Sequence, residues 1–378
     1  MTSPGIQRTG FFWHERCFWH DPGAIGVFSS PGEYLQPQPA SESPESKRRL
    51  KNLLEVSGLI DALEVRKPPA ADNEALARFH TPRYLEALEA GSQVGIGDGG
   101  DCAPFTAGSL AAAKQSAGLA IAAVDAVARG ELRSAYALCR PPGHHAEADL
   151  GRGFCLLGNI PVAVMHARAL GLVRRVAILD WDVHHGNGQQ AAFYDDPDVF
   201  TVSVHQAGNY PLETGNFEER GEGEGRGANL NLPLPPGCGI GAYRYAMSEL
   251  ILPALEAFEP DLIVVACGYD ACAKDPLGKM LLNSAAFGEM TRQVKAVAER
   301  CCDGRLVMVH EGGYSEGYVP FCGHAVIAEL AGSAIVVPDP QNDEIAAWAY
   351  QDLQPHQKAL MDEWHAYLHR DSDPEEPQ

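Results

Sequence analysis

The segment VAILDWDVHHGNG, Val176–Gly188, sets an apolar run directly against four ionisable residues. Val176–Leu179 is short, continuous and aliphatic, the pattern of a strand buried on both faces. Asp180, Asp182 and His184 follow at i, i+2 and i+4, so in extended chain their side chains share one face while His185 points elsewhere. An Asp-x-Asp-x-His run also suits a helix N-cap followed by a solvated turn. Here it continues a buried run, and no adjacent Lys or Arg neutralises it. A divalent cation is the economical way to keep two carboxylates together. Carboxylate and imidazole ligands suit zinc, iron(II) and other first-row ions, and a catalytic zinc takes three protein ligands with one position open. Asp270, at the end of the run VACGYD, can supply a further ligand from a neighbouring parallel strand.

The same strand-then-polar pattern recurs along the chain. Ser134–Cys139 (SAYALC) runs into RPPGHHA, Asp261–Gly268 (DLIVVACG) into YDACAKDPLG, and Arg305–His310 (RLVMVH) into EGGYSEGY. With Val199–His205 (VFTVSVH) these read as buried strands, separated by helical patterns over Gly153–Leu170, Tyr243–Phe258 and Ser284–Arg300. Such alternation predicts an α/β fold with a largely parallel sheet covered on both faces. Ligands of open parallel sheets bind beyond the carboxyl ends of the strands, and four strands here carry ionisable or phenolic groups to that edge.

Gln36–Ser46 and Asp98–Gly108, rich in Pro, Gly and Ser, read as loops, and His369–Gln378 as a frayed acidic tail. No break in the pattern asks for a second domain. The expectation is one domain over 1–378, with a core at about 9–332 and a helical extension plus tail over 333–378.

With 50 acidic against 29 basic residues the formal charge is −21, which argues against nucleic-acid binding. The Ala-rich segment 107–128 is interrupted by Lys114, Gln115 and Asp125, so a core helix is expected there and no membrane span. The N-terminus lacks the layout of a signal peptide, and the ten cysteines are scattered without a CxxC pair. A cytoplasmic protein with reduced core thiols is the expectation.

RPPGHHA, GFC, LDWDVHHGNG, GYD with DPLG, and EGGYS, in that order over roughly Thr9–Gly332, resemble the zinc-dependent histone deacetylase family. The likeness is greatest to the class II branch and its deacetylase-like amidohydrolases. The resemblance implies an arginase/deacetylase-type three-layer fold around a mainly parallel eight-stranded sheet. It implies one catalytic metal, Zn(2+) or alternatively Fe(2+), on Asp182, His184 and Asp270. Asp180 would orient His144 instead. Its oxygens would join the backbone of Asp182 and His184, with Ser203, around a structural K(+). A second K(+) would lie on backbone oxygens near Phe193, Asp196 and Val199.

The chemistry of these residues is that of an amidohydrolase. A metal-held water with its pKa lowered to about 7 is a nucleophile for an amide carbonyl. His144 would pair with Asp180 and His145 with Asn187; a carboxylate keeps its histidine more basic and an amide does not. His145 is therefore the expected general base and acid, His144 its electrostatic partner. Asn187 marks the class II resemblance, since class I relatives carry Asp there. Tyr314, after the Gly312–Gly313 turn, would donate to the oxyanion.

Further roles follow the resemblance. Phe154, after Gly153, matches one wall of a tunnel for an acyl-lysine stem, with Tyr210 opposite where Phe is usual. Leu277 stands at a gate where the polyamine-specific relative carries an acidic residue. Asp98, or else Asp101, would clamp a substrate backbone N–H. The expected substrate is an acetylated lysine peptide or protein or an acetylated amine; acetylpolyamine hydrolysis and a non-catalytic acyl-lysine-binding module are the alternatives. A two-metal ureohydrolase would want a carboxylate where Gly186 stands. Relatives of this branch often self-associate, so a homo-oligomer is a further expectation. The aromatic segment Phe11–Gly23 fits a buried first strand as well as a rim or an oligomer interface.

Overall fold

The computed structural model describes residues 8–25, 32 and 34–371. Its centre is one sheet of eight strands: β1 (Thr9–Phe12), β2 (Glu64–Arg66), β3 (Ser134–Ala137), β4 (Val176–Asp180), β5 (Val199–Gln206), β6 (Asn229–Leu234), β7 (Leu262–Cys267) and β8 (Leu306–His310). They lie in the order β6-β5-β4-β7-β8-β3-β1-β2. Every neighbouring pair is parallel.

The apolar runs form strands because both faces of the sheet are covered. In β4, Ala177 and Leu179 enter one core cluster while Val176 and Ile178 enter the other. β7 divides the same way, with Ile263 and Val265 on one side and Leu262 and Val264 on the other. A strand buried twice leaves no position for a polar residue until it ends.

The register then aligns those ends. Asp180 of β4 pairs with Ser203 of β5 on one side and Ala266 of β7 on the other. Ala266 pairs in turn with Val309 of β8, and Val309 with Ala137 of β3. Four adjacent strands, β4, β7, β8 and β3, thus finish within a residue of one level, and the segments that follow them open onto one edge. β4 and β7 are neighbours from which the chain continues in opposite directions across the sheet, the arrangement that leaves a crevice for a ligand.

Several local readings shift. The strands Glu64–Arg66 and Asn229–Leu234 carry weak patterns and lie at the two ends of the sheet, where Pro233 is tolerated. Thr9–Phe12 is a buried strand between β2 and β3. The helix expected from Gly153 begins at Asn159, because Gly153 and Phe154 hold left-handed φ angles of 48° and 67°. The expected loop 98–108 contains short strands: Ile96–Asp98 pairs with Pro104–Thr106, and Gly100–Asp101 with Gly151–Arg152. Within Gln36–Ser46, Gln38–Pro39 pairs with Ala24–Ile25, and a helix begins at Glu45. The acidic tail beyond 371 lies outside the described residues. The helix Ser109–Ala128 is long and apolar enough to cross a membrane by length and composition, yet its window is 72% buried inside the protein.

Buried histidines make this core acid-sensitive. His80 accepts from Gly158 N through Nε2 at 2.9 Å, which requires a neutral ring. Burial pulls His80, His205 and His20 each down to about 4. The unfolded chain, with histidines near 6.5, therefore binds more protons, so their contribution is intact above pH 6.5 and lost as pH falls towards 4. Buried carboxyls such as Glu311, pushed up to about 7, act in the opposite sense over the same interval, so the test is a difference. His80→Gln should lose less of its thermal midpoint than the wild type between pH 6.5 and 4.5, and an equal loss in both would contradict the assignment.

Candidate metal centre and its cavity

Beyond the last β4 pair, the strand ends deliver Asp182, His184 and Asp270 to one point. All three are buried, and one ligand atom from each lies within 4.8 Å of the others. His184 Nδ1 stands 3.1 Å from Asp182 Oδ1 and 3.1 Å from Asp270 Oδ2. Backbone donors hold the carboxylates: Gly312 N donates to Asp182 Oδ2 at 2.8 Å, and Val183 N to Asp270 Oδ1 at 2.7 Å. A Cβ on Gly312 would lie 2.2 Å from Asp270 Oδ2 and 2.6 Å from Asp182 Oδ2, so only glycine lets the backbone come this close.

The electrostatics ask for more positive charge. Burial works to raise the Asp182 carboxyl, but His144 and His184 outweigh it and hold the group below the usual carboxylate range. Burial, and then the charge on Asp182, pushes Asp270 up to about 7. A divalent cation among these donors would let both carboxylates ionise, and two carboxylate oxygens with one imidazole nitrogen suit such an ion. The residues present therefore fit a bound metal.

Two histidines stand above this point in contrasting surroundings. His144 Nδ1 is 2.9 Å from Asp180 Oδ2, and His145 Nδ1 is 2.8 Å from Asn187 Oδ1. Their ring centroids are 3.9 Å apart. Burial disfavours charge on His144, but Asp182 and Asp180 prevail and lift it to about 10. For His145, burial and the neighbouring rings of His144 and His184 act together and push it well below the ordinary histidine value. The two imidazoles are thus driven apart: carboxylates favour charge on His144, while burial and adjacent rings disfavour it on His145.

Above them a cavity of about 250 Å³ opens to the surface, lined by Phe154, Gly153, Tyr210, Leu277 and Tyr314 together with His145, His184, Cys102 and Asn209. Tyr210 packs edge-on against His145, with centroids 5.0 Å apart, and Phe154 faces Tyr314 at 5.8 Å. A Cβ on Gly153 would meet His145 at 2.5 Å and Tyr210 at 2.8 Å.

Asp98 is not at the rim of this cavity. Its Oδ1 accepts Gly100 N at 2.9 Å and Ala103 N at 3.1 Å, closing its own turn. The next acidic residue, Asp101, instead holds the cavity wall: its Oδ2 accepts the hydroxyl of the lining Tyr210 at 3.0 Å and Arg152 at 3.1 Å. The short strand pairing of 100–101 with 151–152 sets this, a long-range pairing that a glycine-rich stretch does not announce.

Around the expected potassium positions, Asp180 Oδ1 accepts Asp182 N, while Ser203 Oγ lies 3.1 Å from His185 Nδ1 and 2.9 Å from His205 Nδ1. His185, turned away from the metal point, packs against His205. Near the second position Asp196 N donates to Phe193 O, and Val199 N to Asp196 O. At Gly186 a Cβ would lie 2.2 Å from Asp180 Oδ2, so the carboxylate a two-metal site needs has no room there.

Some supporting residues drew no role from the sequence. Glu311 Oε2 accepts Gly143 N at 2.6 Å and His144 N at 3.1 Å, fixing the histidine loop. Asp275 Oδ2 accepts Tyr314 N at 2.7 Å and Ser315 N at 3.2 Å, fixing the tyrosine turn. Arg140, fully buried, binds Glu42 Oε1 at 2.9 Å and the carbonyl of His20 at 2.8 Å. Each sits inside a quoted motif, but its partner lies far along the chain.

A model of the histone deacetylase domain matches residues 40–330. The chain is 53% identical over 355 residues to the histone deacetylase-like amidohydrolase of Pseudomonas aeruginosa, covering 92% of this chain and 93% of that protein. It is 34% identical over 366 residues to histone deacetylase 8 of Arabidopsis thaliana, covering 92% and 93% respectively. Among solved structures it is similar to the crystal structure of the HDA15 HD domain, with a TM-score of 0.80, 29% identity, and coverage of 98% of this chain and 100% of that one.

The Gly312 contact gives a direct test of the metal point. Gly312→Ala should lower bound metal per chain, read by elemental analysis after dialysis, by about tenfold or more while the far-UV spectrum is kept. Full metal content in that variant would contradict the geometry.

Proposed function

Because the chain belongs to the histone deacetylase family, with an arginase/deacetylase-type α/β fold, and is a hydrolase of amide bonds acting on acetylated substrates, we propose that it releases acetate from the side-chain amine of acetyl-lysine in a protein or peptide, or from a related small acylamide. The observation that carries this reading is a single convergence. Asp182, His184 and Asp270 meet His144, His145 and Tyr314 at the inner end of a cavity with apolar walls.

In this reading Asp182, His184 and Asp270 hold zinc, with iron(II) as the alternative ion. When bound, the ion polarises the acyl carbonyl and makes water acidic enough to act as nucleophile near neutral pH. His145, with Nδ1 engaged by Asn187, has Nε2 available to take a proton from the attacking water and to return it to the leaving amine. His144, kept charged beside Asp180, lowers the basicity of its neighbour and steadies negative charge as it develops. The Tyr314 hydroxyl, kept protonated by burial, donates to the oxyanion. Phe154 and Tyr210 flank the acyl-lysine stem, Gly153 keeps the tunnel open between His145 and Tyr210, and apolar Leu277 leaves the gate position without the acidic residue that the polyamine-specific relative carries there. Asp101 takes over the substrate-clamping role expected of Asp98.

Structural potassium belongs to the same proposal. Asp180 and Ser203, paired across β4 and β5, would support one ion, and the carbonyls near Phe193, Asp196 and Val199 a second.

Two measurements check the reading. Tyr314→Phe should lower kcat on an acetyl-lysine peptide about 10²–10³-fold with metal content unchanged; a loss below about threefold would remove Tyr314 from the reaction. In a turnover panel of acetyl-lysine peptides, acetylputrescine, acetylcadaverine and trifluoroacetyl-lysine, the acetyl-lysine peptides should exceed the acetylpolyamines in kcat/KM. A preference of roughly a hundredfold for an acetylpolyamine, or about 2.7 kcal/mol in transition-state binding, would reverse the assignment.

A further inference from the structure

Asn187 presents its amide to three groups at once. Its Oδ1 is 2.8 Å from His145 Nδ1, and its Nδ2 donates to Glu147 Oε1 at 2.8 Å and to the His145 carbonyl at 3.2 Å. The two ends of an amide have nearly the same shape, so only partners decide which end faces the imidazole. An ionised carboxylate accepts and cannot donate. The nitrogen must therefore face Glu147 and the oxygen His145, and an oxygen against Nδ1 requires the proton on Nδ1. The cavity-side Nε2 is left with its lone pair.

We propose that Glu147 is a positioning residue that fixes the tautomer of His145 through the side-chain amide of Asn187. It touches neither cavity nor metal point, and it is itself held. Its backbone N donates to Leu150 O at 2.9 Å, and Oε1 accepts Arg152 Nη1 at 3.2 Å. Arg152 is in turn gripped by Asp101 at 3.1 Å and by Glu213. The line Asp101–Arg152–Glu147–Asn187–His145 runs from the mouth of the cavity to the ring at its base. The inference rests on His145 being the base proposed above.

The test uses the full-length metal-loaded protein with 15N-labelled histidine, the His145 resonances being assigned by difference against His145→Asn. In Glu147→Lys the ammonium can only donate, so it should draw the amide oxygen, turn Nδ2 towards His145 and move the proton to Nε2. Expected are an Nε2–H tautomer and a kcat lower by about 10²-fold at nearly unchanged KM. Adding Asn187→Asp to Glu147→Lys returns an acceptor to Nδ1, with the ammonium balancing the new carboxylate. It should restore the Nδ1–H tautomer and bring kcat to within about tenfold of wild type. Glu147→Ala, which leaves the amide nitrogen only its longer contact to the His145 carbonyl and inserts no charge, should give a mixture of tautomers and serves if Glu147→Lys does not fold. Overturning results are an unchanged Nδ1–H tautomer in Glu147→Lys or in Glu147→Ala, or a double variant no faster than Glu147→Lys. If His145→Asn retains turnover, His145 is not the base, and the tautomer comparison still judges the role of Glu147.

Discussion

Two buried carboxylates held side by side, Asp182 and Asp270, are the constraint around which the rest is arranged. Like charges removed from water repel strongly and lose their hydration. The protein answers with backbone N–H groups on one oxygen of each carboxylate and with the His184 imidazole between the other two. That answer requires strand ends finishing at the same level and backbone close enough to donate, hence a parallel register running without a break from β5 to β3 and a glycine at 312. What it leaves undone is the neutralisation of Asp270, which a dication among these donors would supply.

The same economy sets the histidine pair apart. Both rings are equally buried and almost in contact, so neither solvent nor position in the loop distinguishes them. The charges around each do: Asp182 and Asp180 near His144, and for His145 the rings of His144 and His184, with only an amide, not a carboxylate, as its hydrogen-bond partner. The asymmetry favours charge on one ring and disfavours it on its neighbour, the division of labour that the proposed acid–base pair would use. It is stabilised from outside the pair, by Glu311 on the backbone of His144 and by Glu147 on the amide beside His145.

Much of this was legible in the chain because strand ends are local. The alternation of Asp180, Asp182 and His184 follows from the two-residue period of extended chain, and GHH, GYD and EGGY each end an apolar run. Where reading failed, the determining contact was distant. Asp98 and Asp101 are equivalent as letters in a glycine-rich stretch, and only the pairing of 100–101 with 151–152 brings one of them to the hydroxyl of Tyr210. Gly153 and Phe154 looked like a helix start until their positive φ values, imposed by the tunnel wall, delayed the helix to Asn159. Glu311, Asp275 and Arg140 stood in plain view within motifs. Nothing local says that their partners are backbone N–H groups or a carboxylate 98 residues away.

By itself the sequence determined the α/β class, the double burial of the central strands and the identity of the groups at their carboxyl ends, because these depend on hydrophobic period and on which residues follow each run. The tertiary structure alone decided how closely the carboxylates approach, which backbone groups hold them, and which acidic residue bonds to the tyrosine of the cavity wall. Those outcomes depend on register between strands and on burial, and both are set by the packing of segments far apart in the chain.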